Sequence, residues 1–195
     1  MEKELVKFLG ITFGIVTIVL IAVAFFVDLG TVKFTFSGVT VYTTNTTFFG
    51  TIHNGQFSSW GNYTKGMTGS TLNKANSGID MIYASMATII IAAIFAVIGI
   101  VTVFGKSSEI MKNMSFIAPI VSAILIIVTI VLYYEGAKTL LNAYTTLLNT
   151  YTSASPFKSV LTTTVSLAIG AYLVIVAVIT EFLAAGFNIL SGSKK

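Results

Sequence analysis

Between Phe8 and Val27 the chain reads FLGITFGIVTIVLIAVAFFV, without a charged residue. Similar apolar runs follow at 81–104 (MIYASMATIIIAAIFAVIGIVTVF) and 116–134 (FIAPIVSAILIIVTIVLYY). A last one lies within Val160 to Leu190, where SLAIGAYLVIVAVIT is the richest part, and it predicts a span over about 162–185. A helix needs about 20 apolar residues to cross the roughly 30 Å hydrocarbon core of a bilayer. Backbone N–H and C=O groups find no water there, so each run predicts a transmembrane helix. The first run follows MEKELVK. It is longer than a signal-peptide core of about 7–15 residues and has no clear cleavage pattern after it, so it predicts a retained anchor.

Between the first two runs the period changes from helical to alternating. In VKFTFSGVTVYT, Val32, Phe34 and Phe36 point one way, and Lys33 and Thr35 the other. A two-residue turn at Ser37-Gly38 would pair Phe36 with Val39 and Phe34 with Val41, putting five apolar residues on one face. In TTFFGTIHNGQFSSWGNY, Asn54-Gly55 is a strong hairpin signal because both residues tolerate positive φ. That turn pairs Ile52 with Phe57 and His53 with Gln56, and further out Phe49 meets Trp60. Residues 65–78, KGMTGSTLNKANSG, read as a polar, turn-rich return to the second span. After the third span, Leu140, Tyr144, Leu147 and Tyr151 recur at helical spacing, with Leu141 and Leu148 beside them. The third helix therefore continues above the membrane and covers the sheet with its apolar stripe, until Ser153 to Pro156 end it. The expected fold is a mainly α membrane protein, a single domain over 1–195. It has a four-transmembrane-helix bundle, a small extracellular antiparallel β-sheet at 28–80 between helices 1 and 2, and an extended third helix reaching through 135–159.

Composition supports this class. The chain is 55% hydrophobic and 9% charged, against about 25% charged in soluble domains. So few charges could not cover a water-facing surface. Lys3, Lys7, Lys106, Lys112, Lys194 and Lys195 fall in the ends and the 105–115 loop. Lysines in short segments beside spans mark the cytoplasmic side. The expectation is a multi-pass protein of the cell membrane, or of an enveloped particle's membrane, with both termini cytoplasmic. Tyr83, Tyr133 and Tyr134 form its outer aromatic belt. All 11 basic residues are lysine, and cysteine is absent. The first fact argues against nucleic acid as a partner. The second excludes disulfides, thiolate metal sites and thiol catalysis.

Four spans, a strand-rich first outer loop, a shorter second one and short inner ends resemble the claudin-like four-span membrane proteins, which include the claudins and the calcium-channel gamma subunits. Trp60 in SSWGNY stands where that family has the second tryptophan of its first loop. The family's Gly-Leu pair and its two cysteines have no counterpart in this chain. The resemblance is one of layout, and it implies the fold described above.

His53 is the one histidine. Asp28, Asp80 and Glu135 are remote from it in sequence, so neither a nucleophilic triad nor a metal site is expected there. The reading is non-enzymatic, with no catalytic residue, no metal and no cofactor. Asn45 and Asn62 head glycosylation sequons. Gly10 and Gly14, Ala92 and Ala96, and Ser166 and Gly170 form small-xxx-small pairs suited to helix packing. Glu181 is the one ionisable residue expected within a span, and it should snorkel to the interface. The expected role is lateral assembly, adhesion or envelope and partner contact. The contact surface would be the outer β-domain at Thr46, His53, Asn54, Gln56 and Trp60. The partners would be the lipid bilayer and a homo-oligomer or other membrane subunits. The alternative is an accessory subunit of a larger membrane transport or redox complex.

Overall fold

The computed structural model describes residues 3–104, 108–152 and 161–192. Lys106, Lys194, Lys195 and the Ser153 to Pro156 break lie outside these residues. Helices α1 (Lys3–Ala24), α2 (Gly69–Phe104), α3 (Glu109–Thr152) and α4 (Ile169–Gly192) are each long and apolar enough to cross a membrane. By length and composition this is a multi-pass membrane protein. Strands β1 (Gly30–Phe36), β2 (Val39–Thr46), β3 (Gly50–His53), β4 (Gln56–Ser59) and β5 (Leu161–Leu167) form one antiparallel sheet in the order β4-β3-β2-β1-β5.

Three boundaries differ from the sequence expectation. Helix α2 starts at Gly69 rather than 81, and absorbs the polar stretch after it. Ala75 and Gly78 make that stretch packable, because both are small and buried. Helix α3 starts at Glu109, inside the expected loop, where the Ser108 hydroxyl accepts the Met111 N–H at 3.2 Å as an N-cap does. The fourth helix starts at Ile169, and residues 161–167 are a strand. In LTTTVSL the exposed Thr162, Thr164 and Ser166 alternate with half-buried neighbours. This period of two was hidden where the strand runs straight into a longer apolar segment. It also corrects one packing pair. Ser166 pairs with Thr31 in the sheet and donates its hydroxyl proton to Thr31 O, so Ser166 and Gly170 are not a helix-packing motif.

The chain divides into two compact units: 1–24, 87–130 and 172–195 form one, and 25–86 and 131–171 the other. The first is helical. Its small residues allow close approach: a Cβ on Gly14 would meet Ile100, and one on Gly99 would meet Pro119. Ala92 and Ala96 are buried here. Hydroxyls bridge the helices, Thr17 to Thr180 at 2.6 Å and Thr88 to Thr129 at 2.8 Å. Val19, Ile94, Ile124 and Ile179 are exposed, as lipid-facing residues should be.

The second unit holds the sheet. Both two-residue turns form as expected: Ser37 and Gly38 have φ of 49° and 82°, Asn54 and Gly55 48° and 77°. Phe36 pairs with Val39, Ile52 with Phe57, and His53 with Gln56. A bulge between Phe34 and Thr35 changes the rest of the first hairpin, so Phe34 faces Tyr42 instead of Val41. Val32, Phe34 and Leu141 of α3 form the core, with Tyr144 and Val165 packed on it. The amphipathic part of α3 thus covers the sheet. Gly78 and Gly136 let α2 and α3 touch backbone to backbone, since a Cβ on either would lie 2.7 Å from the other's carbonyl oxygen. Gly136→Ala should therefore destabilise the folded protein by about 1–3 kcal/mol through overpacking. Gly61→Ala, which enters open space, should change little. Thermal unfolding in detergent would compare the two.

Candidate functional site

Trp60 opens a short 3₁₀ turn, Trp60–Thr64, that follows β4. Its indole is fully buried and donates to Phe48 O at 3.0 Å. Phe48 meets Tyr133 edge-on at 5.5 Å, and the Tyr133 hydroxyl donates to Thr46 Oγ1 at 2.8 Å. Two expectations change here. Trp60 does not pair with Phe49, because strand pairing ends at Gly50 and Ser59; its indole bonds the Phe48 carbonyl instead. Thr46 and Trp60 are both 0% exposed, so neither can touch a partner. Tyr133 is likewise an interior anchor and not a belt residue.

Anchored this way, the turn presents Tyr63 beside Tyr42 of β2, His53 of β3 and Tyr144 of α3. These side chains line an open cleft of about 420 Å³. Tyr42 and His53 rings lie 4.1 Å apart, and Tyr63 meets Tyr144 edge-on at 5.1 Å. Thr51 shares a 2.9 Å hydrogen bond with the Tyr63 hydroxyl. Burial pushes the Tyr63 phenol above its ordinary pKa, against the opposing pull of the Thr51 bond. That group is therefore a neutral donor and acceptor at neutral pH. A second cleft of about 400 Å³ shares Tyr42, Tyr63 and Tyr144 and adds Phe34, Val41 and Leu161.

The imidazole has a defined task. Nδ1 lies 2.8 Å from Thr43 O. A carbonyl only accepts, so Nδ1 carries hydrogen here. The ring thus covers a backbone acceptor of β2 that no strand reaches. Pairing of β2 with β3 is confined to Asn45 and Thr46. From Val39 to Thr43, β2 has β1 on one side and no strand on the other among the described residues. Val39 and Val41 on that open stretch are 66% and 58% exposed, and nearby Phe57 is 59% exposed.

The remaining sequence-predicted residues are dispersed. Asn54 and Gln56 are exposed at the hairpin tip beside His53. Asn45 is exposed and donates to Asp28 Oδ2 at 2.7 Å, and Asn62 is exposed and donates to Ser58 Oγ. Gly10 and Gly14 belong to the helical unit, where Gly10 lies against Asn188. Gly170 starts α4 and lies against Asp28 O. No carboxylate or lysine lines the aromatic cleft. Among the described residues, no group of His, Cys, Asp and Glu is placed to hold a metal. The cleft offers π faces, hydroxyls and an amide, which suits binding better than proton transfer. The tyrosine convergence went unread in the sequence because Tyr42, Tyr63 and Tyr144 lie on three separate elements. Only the helical spacing of Tyr144 gave a signal.

No protein-family model matches the chain, and no curated protein matches it.

Trp60→Ala should destabilise the sheet unit by about 3–5 kcal/mol, as large-to-small core changes do. His53→Ala removes only an edge contact and should cost about 1 kcal/mol or less. Thermal unfolding monitored by near-UV circular dichroism would measure both.

Proposed function

We propose that this chain is a non-enzymatic membrane protein that assembles laterally, its sheet unit lying outside the cell membrane and joining a second copy of the chain. The observation that carries this reading is the open stretch of β2 from Val39 to Thr43. Free strand edges recruit strands, and soluble domains guard them with lysine, proline or bulges that turn the edge away. Here VTVYT contains neither lysine nor proline, and its one bulge, at Val41, leaves that valine exposed. It is rich in β-branched residues, and two of its apolar side chains are exposed. Two such edges related by a two-fold axis would pair antiparallel, with each valine meeting its counterpart region. Copies confined to one membrane already share orientation about the membrane normal, so a two-fold contact forms at low orientational cost. Lys3, Lys7 and Lys112, close beside apolar spans, support a cytoplasmic placement of the segments that carry them.

Two tests follow. Thr40→Lys with Val41→Lys puts charge on exposed edge positions and should reduce crosslinked dimer in the membrane at least tenfold, while insertion and folding persist. An unchanged dimer would sink the edge-pairing reading. For orientation, the cysteine-free chain allows single labels without background. Gln56→Cys should react with an impermeant thiol reagent on intact cells, and Asn113→Cys only after permeabilisation. The reverse pattern would invert the topology.

A further inference from the structure

Glu181 stands midway along α4, and its side chain is 0% exposed. It does not snorkel to an interface. Neither carboxyl oxygen has a hydrogen-bond partner among the described residues. The hydroxyls of Thr17 on α1 and Ser122 on α3 stand beside it without completing a bond of good geometry. Both hydroxyls have other partners. Ser122 donates to Ala92 O at 2.9 Å. Thr17 and Thr180 bond each other at 2.6 Å, and reach Phe13 O at 3.1 Å and Ala177 O at 2.9 Å. The two threonine hydroxyl protons are shared among these contacts, and the hydroxyl oxygens keep lone pairs beside the carboxyl. Two turns further along α4, Asn188 Oδ1 is also buried and unpartnered, while its amide donates to Ser115 O at 2.7 Å. Beside Glu181 stand the Thr17 and Ser122 hydroxyl oxygens, which present lone pairs.

Among the described residues of the helical unit, no basic side chain is placed to balance it. The other titratable groups of the described helical unit are Lys3, Glu4 and Lys7 on α1, Glu109 and Lys112 on α3, and Tyr172 on α4; the α2 segment from Ala87 to Phe104 has none. Lys7 and Lys112 lie about 15 Å along their helices from Thr17 and Ser122 at 1.5 Å per residue. Lys7 instead points at the Phe104 ring, 5.3 Å from its centroid. A carboxylate left unbalanced within a membrane is costly, and such residues are rare there. What the cluster lacks is one positive charge.

We propose that Glu181, Thr17 and Ser122 form a site for one exchangeable monovalent cation, taken from the aqueous phase as a proton or as sodium. Carboxylate and hydroxyl oxygens suit either source, and one positive charge makes the site neutral. The site is independent of the edge-pairing reading.

The test uses the full chain in detergent, with sodium chloride against choline chloride at equal ionic strength, and infrared spectra across a pH series. If sodium fills the site, it should raise the melting temperature of the wild type above that in choline, and Glu181→Gln should abolish the difference. If a proton fills it, sodium should have no such effect. The wild type should instead show a carboxylic-acid C=O band that vanishes reversibly on raising pH while the protein stays folded, and Glu181→Gln should lack it. A band that ignores both pH and sodium would make Glu181 a static neutral acid and overturn the proposal. So would a sodium effect of equal size in Glu181→Gln, or the absence of both responses. Should Glu181→Gln fail to fold, Thr17→Val, which keeps the carboxyl and removes one oxygen, should shift the sodium or pH midpoint of the same signal. No shift would count against the site.

Discussion

The hydrogen bond from Tyr133 to Thr46 is the contact on which the sheet unit depends. A sheet held in a chain without cysteine has no covalent staple, so helix and strand must fix each other by buried side chains. Tyr133 does this from α3, with its hydroxyl on Thr46 and its ring edge-on to Phe48. Phe48 in turn lends its carbonyl to the Trp60 indole. One chain of contacts therefore runs from the helix through β2 to the turn that holds Tyr63. Backbone bonds close the same region from the other side: Leu29 N donates to Thr46 O, and Ala168 N donates to Leu29 O. Buried polar groups are costly when unpaired and specific when paired. This set is paired throughout, which gives one register and not merely one collapsed core.

Much of that arrangement was legible in the sequence because its determinants are local. Four apolar runs of sufficient length leave the backbone few alternatives in lipid. The Ser37-Gly38 and Asn54-Gly55 turns set their hairpins because positive φ is a property of those residues. What escaped was non-local. The bulge that exchanges Val41 for Tyr42 opposite Phe34 has no signature in an alternation that looks perfect. Strand β5 pairs with β1 across more than a hundred residues of chain, and its period of two sits against a helix far more apolar than itself. The polar start of α2 became helix through a glycine contact with α3, a tertiary effect that overrides local propensity. The burial of Trp60 and Thr46 followed from the same kind of long-range contact. That burial removed both from the expected contact surface.

The helical unit shows how small and polar residues divide the work of packing. Lipid tails are as apolar as leucine, so helices gain little from hiding hydrophobic surface from them. Close approach at Gly14 and Gly99 supplies dispersion, and the Thr17–Thr180 and Thr88–Thr129 pairs supply direction. Within this well-satisfied set, Glu181 and the Asn188 side-chain oxygen Oδ1 stand out, among the described residues, as buried groups left without partners. Interhelical hydroxyl pairs would have served packing with serine or threonine at 181. A carboxyl there breaks a rule that the rest of the bundle obeys, and such local violations concentrate at functional sites.

The bulge has a similar logic at the sheet. Without it, Val41 would oppose Phe34 in the core, and Tyr42 would point away from the cleft. With it, Tyr42 meets Phe34 at 5.5 Å and His53 at 4.1 Å, and Val41 is turned outward. One inserted residue thus builds the aromatic cleft and makes the adjoining edge apolar. The His53 imidazole then covers Thr43 O, at the end of the open edge. A bulge can protect an edge by twisting it away, and charged side chains can protect one too. This one is accompanied by valines and threonines and leaves an edge of defined length. Those features support the edge as a surface kept for pairing, with the hairpin tip setting where the pairing stops.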